Sequence, residues 1–241
     1  MYQKTLLKNG IRVVSENIPY IRSFSIGIWI ITGSRDEDSD ENGISHFIEH
    51  LIFKGTKSRT AHDIAKEIDS VGGVLNGFTE REYTCFHAKV LDQHWPLAIE
   101  LLSDIFLNST FDSNEIVRER NVVLQEIKMV EDTPDEYIHD LFSQVFWEGH
   151  PLGYPILGKK EHVSSFGRET ICRYFDDHYR SNQLVISIAG SFDHEKVIRQ
   201  IEDTFGELGE RIQVDKGISP EPKPGIGVFP RDLEQVHLCL G

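Results

Sequence analysis

The chain is 241 residues long and 39% hydrophobic, enough for one large domain or two small ones around a core. Its formal net charge of −14 argues against a nucleic-acid backbone as a partner. No apolar run approaches the roughly 18 residues of a membrane span, and three widely spaced cysteines, Cys85, Cys172 and Cys239, argue against a disulfide framework or a cysteine zinc site.

Met1 to Lys4 leads straight into a strand pattern without signal- or transit-peptide features. A reducing cytoplasm is the expected compartment, or an organelle matrix if a targeting segment has been removed. Asn9-Gly10, between β-prone residues at Leu6 and Val14, predicts a tight hairpin. Phe24, Ile26, Ile28 and Ile30 alternate with Ser25, Gly27 and Trp29, which predicts a strand running into Gly33. Ser34 to Glu41 reads as a polar surface loop that delivers the chain to a helix.

That helix, 42–55, carries the first chemistry. Asn42 is its expected N-cap, and Lys54-Gly55 give a basic last turn and a left-handed stop. Ile44, Phe47, Ile48, Leu51 and Ile52 recur at helical spacing and predict one buried face. His46 and His50, four residues apart, flank that face, so their imidazoles project together as one tetrahedral Zn²⁺ requires. Glu49 is placed to hydrogen-bond a water at the metal without itself coordinating. The order is H-x-x-E-H, the reverse of the commoner H-E-x-x-H. A helix with two surface histidines and a neighbouring glutamate has the same spacing.

Thr60 to Asp63 opens a capped helix that ends at Gly72-Gly73, and Val74 to Thr79 and Tyr83 to Val90 read as two strands. Asp92 to Asn108 is helical, with Pro96 in its first turn and Leu97, Leu101, Leu102 and Ile105 on one side. Asp112 to Val130 is a helix with a capping-box start, and it sets Glu119 and Glu126 two turns apart on one face. A two-histidine site needs a third protein ligand; one of these glutamates can supply it while the other orients a ligand from behind. Ordinary solvated carboxylates share that spacing. Thr133-Pro134-Asp135-Glu136 starts another helix with the pattern of a capping box, reaching about Trp147, and His150 to Pro155 is a loop whose histidine lies outside both metal helices.

Arg168 to Tyr179 reads as a helix, Gln183 to Ala189 as a strand closing at Gly190, and His194 to Phe205 as the last helix. The order lacks regular βαβ alternation, which predicts an α+β domain with a largely antiparallel sheet and helices packed on one face. Pro220 to Gly225 is a semi-rigid linker pattern. The expected division is a domain over 1–212, a linker over 213–228, and the beginning of a second domain over 229–241, with a strand pattern at Gln235 to Leu240.

Together these segments resemble the pitrilysin and insulysin family of inverted-motif zinc metallopeptidases, and more closely its half-length, processing-peptidase-like branch. The resemblance is carried by His46-x-x-Glu49-His50 with Glu119 and Glu126 downstream, and by Val122 to Ile127, which is similar to the family's third-ligand helix. Gly72 to Thr79 is similar to its G-G-x-x-N-A-x-T strand, with Gly77 where alanine is usual, and His150 to Gly158 and Asn182 to Gly190 match further landmarks. The resemblance implies the N-terminal half of a two-half clamshell peptidase, a zinc-dependent endopeptidase acting on extended or presequence-like polypeptides. It implies one Zn²⁺ per chain on His46, His50 and Glu126, with Glu49 as general base and Glu119 supporting the ligands. It also implies that Asn76, Gly77, Phe78 and Thr79 form an edge strand that pairs with the peptide substrate, and that a homologous second half, from further sequence or another subunit of a dimer, completes the clamp. The rival expectations are a non-catalytic scaffold subunit with the same fold, and a zinc-binding half that is inactive without its second half.

Overall fold

Residues 2–210 and 219–241 are described by the structure, a computed structural model. Six strands form one sheet in the order β1-β2-β6-β3-β5-β4: β1 Tyr2–Leu6, β2 Arg12–Asn17, β3 Ser23–Ile30, β4 Val74–Thr79, β5 Thr84–Leu91 and β6 Leu184–Gly190. All neighbours are antiparallel except β2 and β6, since β6 returns late in the chain and inserts between the first hairpin and β3. The hairpin turns through Leu7–Ile11, with Leu7 N donating to Ile11 O at 2.9 Å, so it is wider than a two-residue turn.

Alternation decides which face is covered. Phe24, Ile26, Ile28 and Ile30 of β3, Phe86, Ala88 and Val90 of β5, and Ile186 and Ile188 of β6 are all buried on one face. Against them pack the helices α1 (Ile44–Ile52), α3 (Trp95–Asn108) and α8 (His194–Phe205). Each fully buried aliphatic or aromatic side chain there contributes roughly 1.5–3 kcal/mol. Trp29, Cys85 and Ser187, one residue out of phase, share the opposite face, where Trp29 Nε1 donates to Ser187 Oγ at 2.8 Å. The α+β expectation holds, with one parallel pair in an otherwise antiparallel sheet.

The remaining helices are α2 (Ala61–Ser70), α4 (Ser113–Glu131), α5 (Pro134–Phe146), α6 (Lys160–Ser165) and α7 (Arg168–His178). Thr60 and Asp63 make the reciprocal capping box that their spacing predicts. Asp112 caps α4 by accepting from Asn114 N at 2.8 Å and Glu115 N at 3.3 Å. The box expected at Thr133 does not form, because its hydroxyl donates back to Met129 O at 2.7 Å in the preceding helix. The short α6 was not expected; with 6 residues and no side-chain cap it leaves no periodic signal.

Two other expectations change. Ser34–Glu41 is a solvated loop only in part: Asp38, Ser39 and Asp40 are exposed, but Ser34–Asp36 is a 3-10 turn, and Ser34 and Glu37 are buried. Gln235–Leu240 makes no strand, since no strand lies beside it to complete its hydrogen bonds among the described residues. The linker proposed over 213–228 lies partly outside the described residues.

Candidate metal centre

The site begins with how α1 is held. Ile44, Phe47, Ile48, Leu51 and Ile52 are buried, so the apolar stripe fixes the rotation of the helix against the sheet. Its N-cap is Gly43, at φ 98°, and not Asn42. Asn42 Nδ2 instead donates to Glu37 Oε2 and to Pro155 O, both at 3.0 Å. The capping acceptor is Glu37, whose carboxylate receives Gly43 N at 2.8 Å and Ser45 N at 2.9 Å. Burial pushes the Glu37 carboxyl up to about 7, while the bonds from Gly43, Ser45 and Asn42 act in the other direction. A cap reaching from six and eight residues upstream escapes any local capping pattern.

His46 and His50 project from the flank of α1 with ring centroids 4.7 Å apart. α4 crosses beside α1 and brings Glu126 to them. Glu126 Oε2 lies 3.3 Å from His50 Nε2 and 3.8 Å from His46 Nε2, and one donor atom from each residue falls within 4.8 Å of the others. Tetrahedral Zn²⁺ with bonds of about 2.0–2.1 Å separates its ligand atoms by roughly 3.3–3.4 Å. The cluster is therefore about the size of one zinc coordination sphere. Burial, and then the neighbouring His50, lower the His46 pKa to about 3, so its imidazole is the neutral form a metal needs.

Glu119, one face along α4, is buried and pairs with His50 Nδ1 at 3.2 Å and with Lys54 Nζ at 2.8 Å. A carboxylate there is placed to accept a hydrogen bond from Nδ1, the arrangement that would leave Nε2 free for a metal. Lys54, expected merely as a charge complementing the helix dipole, has Glu119 as its partner.

Glu49 lies on the same helix with its Oε2 buried and without a hydrogen-bond partner among the described residues. Desolvation raises its pKa; the hydroxyl and amide of Thr79 and the charge of His50 oppose that, and Glu126 adds to it. Two imidazoles and one carboxylate, with the buried Oε2 of a second carboxyl beside them, are a donor set that suits Zn²⁺ with an open position.

The four β4 residues do not act alike. Asn76 and Phe78 stand opposite His87 and Cys85, on the face away from the helices, and Phe78 packs edge-on to Trp29 at 5.7 Å. Asn76 Oδ1 accepts from Gly77 N at 2.9 Å. Gly77 crosses Phe86, where a Cβ would sit 2.9 Å from Cδ1 of the ring. Thr79 is buried beside Glu49, so only this end of β4 reaches the cluster. β4 is an edge strand, paired only with β5. His150 takes no part: its Nδ1 accepts from Leu152 N at 3.1 Å.

Fold and site define an α+β module in which two histidines and one glutamate are grouped so that they could hold a metal ion. The chain belongs to the insulinase family of peptidases, family M16, whose sequence model matches residues 12–160; the model described as the peptidase M16 inactive domain matches 165–241. It is 45% identical over 241 residues to an uncharacterized zinc protease of Bacillus subtilis, covering 100% of this chain and 59% of that protein. An uncharacterized zinc protease of Streptomyces coelicolor is 39% identical over 249 residues, covering 99% of this chain and 54% of that protein. The chain thus spans about half the length of the curated relatives it matches. In fold it is similar to the crystal structure of a protease from Helicobacter pylori, with TM-score 0.84 at 23% identity over 92% of this chain and 54% of that one. It is also similar to a putative M16-like peptidase from Alicyclobacillus acidocaldarius, with TM-score 0.77 at 21% identity over 88% and 51%.

Proposed function

We propose that this chain is the metal-holding half of a zinc-dependent endopeptidase that hydrolyses peptide bonds in extended polypeptides. The observation that carries the reading is the convergence of His46 Nε2, His50 Nε2 and the Glu126 carboxylate on one point, with the buried Oε2 of Glu49 on the same helix. The zinc-protease names of the relatives support it. These three residues would hold one Zn²⁺ per chain, which would supply Lewis acidity toward the scissile carbonyl and a water.

The chain's own groups do the rest. Glu49 takes the proton of the attacking water on its carboxylate and passes it to the leaving amine nitrogen, a task suited to a carboxyl whose pKa is raised by burial. Glu119 keeps the His50 ring in the tautomer whose Nε2 is free. The open edge of β4 accepts an extended peptide through backbone hydrogen bonds, and pairing along it delivers one peptide bond to the Thr79 end, next to Glu49. Backbone pairing leaves sequence preference to the flanking pockets.

A second reading is favoured by length. Because the relatives extend well beyond the matched region, a homologous second half, in the same chain or another subunit, completes the substrate clamp, and the first half holds zinc but cleaves little by itself. On this division 1–212 is the metal-holding domain and 229–241 begins the next. No helix among the described residues is long and apolar enough to cross a membrane. A bacterial-type cytoplasm is the proposed compartment.

Elemental zinc analysis and a peptide-cleavage assay on the wild type, His50→Ala and Glu49→Gln test this. One zinc per chain that is lost in His50→Ala, with Glu49→Gln keeping metal and losing cleavage, is the expected result. Absence of zinc from the supplemented wild type would overturn the reading. Zinc without cleavage, restored on adding the second half, selects the second reading.

A further inference from the structure

The two histidines of the cluster are oriented by different means. His50 is held through Nδ1 by Glu119, which is in turn held by Lys54. His46 Nδ1 is buried with no hydrogen-bond partner among the described residues. A ligand histidine ordinarily donates its second nitrogen to a carboxylate, carbonyl or water, which fixes the ring. For His46 that role falls to the backbone that carries it.

His46 is the third residue of α1, and in the turn that carries it Ile44 N donates to Glu41 O at 3.0 Å while the amides of Gly43 and Ser45 are both taken by one side chain from outside the helix. Glu37 spans that turn, accepting from Gly43 N and Ser45 N with its two oxygens and from Asn42 Nδ2 besides. The first amides of a helix have no partner within it, and an anion there also meets the positive end of the helix dipole. Two further contacts flank the cap. Ser45 Oγ lies 3.0 Å from Tyr174 OH, and Asn42 ties the turn to Pro155 O.

We propose that Glu37 is a positioning residue of the metal centre, fixing the first turn of α1 so that His46 points at Glu126. This rests on the zinc reading above. The carboxylate does not touch the ligand ring; it acts through the backbone of Gly43 and Ser45. Removing one of its acceptor oxygens frees an amide in a buried turn and lets the His46 backbone shift, while His50 stays held by Glu119. The centre then loses one correctly aimed ligand out of three, without losing any ligand atom.

The test is made on the full-length protein with zinc itself as the probe. Zinc affinity is measured by competition with a chelator for wild type, Glu37→Gln and Glu37→Ala, together with the visible spectrum of the Co²⁺-loaded proteins and the thermal midpoint of the metal-free ones. Glu37→Gln keeps the size of the side chain but replaces one acceptor oxygen by a donor. It is expected to weaken zinc binding roughly 10-fold or more, within the range seen for groups one layer behind a metal. Its Co²⁺ bands are expected to shift, because the ligand field is distorted. A folded Glu37→Gln with wild-type zinc affinity and an unchanged Co²⁺ spectrum would overturn the proposal, whatever happens to its thermal midpoint. If Glu37→Ala does not fold, Glu37→Gln still decides. A wild type that binds no zinc removes the underlying reading instead, so the two failures are distinguishable.

Discussion

Among single residues, the decisive property is which nitrogen of each histidine faces the cluster. For His50 the answer comes from Glu119, an acceptor 3.2 Å from Nδ1 that is itself balanced by Lys54. Glu119→Gln keeps an acceptor near the ring but removes the charge that holds its proton. Zinc affinity is expected to fall about 10–100-fold with the fold intact, measured by chelator competition alongside circular dichroism. Unchanged affinity would show that Glu119 does not tune the ligand. His46 and His50 were legible in the sequence because a four-residue separation on a helix fixes their relative direction. The roles of Glu37 and the partner of Lys54 were not, since both depend on which segments pack beside α1.

Within elements, α1 is held at its N-terminus by a crossing that only glycine permits. Gly43 has φ 98° and Gly158 φ 79°, and a Cβ on Gly158 would lie 2.5 Å from Gly43 Cα. Gly158→Ala therefore combines a left-handed backbone with a backbone clash. It is expected to cost roughly 2 kcal/mol or more in urea unfolding, and to weaken zinc binding in parallel. The chain leaving α1 is held by Asp104 of α3, which accepts from Thr56 Oγ1 at 2.7 Å, Ser58 Oγ at 3.0 Å, Arg59 Nη1 at 2.9 Å and Asn108 Nδ2 at 2.9 Å. Burial alone would raise its pKa, but these four donors together outweigh it and hold the carboxyl below its ordinary 3.8. A depressed carboxylate pKa contributes stability that is present above the unfolded value and lost as pH falls through the folded one. Asp104→Asn is expected to cost roughly 1–3 kcal/mol at pH 7, and the gap from wild type should close as pH falls below about 3.8. A gap independent of pH would assign the loss to packing.

At the scale of the whole molecule, a metal held by His46, His50 and Glu126 would tie two helices that are far apart in sequence, α1 and α4. A ligand that binds only the folded chain stabilises it by mass action. At free zinc about 1,000 times its dissociation constant this amounts to roughly 4 kcal/mol, or about 8–16 °C in thermal midpoint for a chain of this size. Chelation of the zinc-loaded protein should lower the midpoint by that order, and His50→Ala should abolish the difference. A midpoint indifferent to chelator would mean that the cluster does not hold metal in solution.

The sequence alone determined what is local. Period-two alternation marked β3, an apolar run closing at Gly190 marked β6, helical periodicity marked α1 and its buried face, and Thr60 with Asp63 formed the box their spacing predicts. Backbone geometry sets those periods, so they survive without knowledge of the rest of the chain. The tertiary structure decided what depends on neighbours distant in sequence. β6 inserted parallel to β2, Thr133 gave its hydroxyl to the preceding helix, and Gln235–Leu240 has no adjacent strand among the described residues. The same holds at the site. Spacing put two histidines on one face of α1, but only the crossing of α4 brought Glu126 to them and Glu119 behind them, and only the burial of Glu37 showed what holds the turn beneath His46.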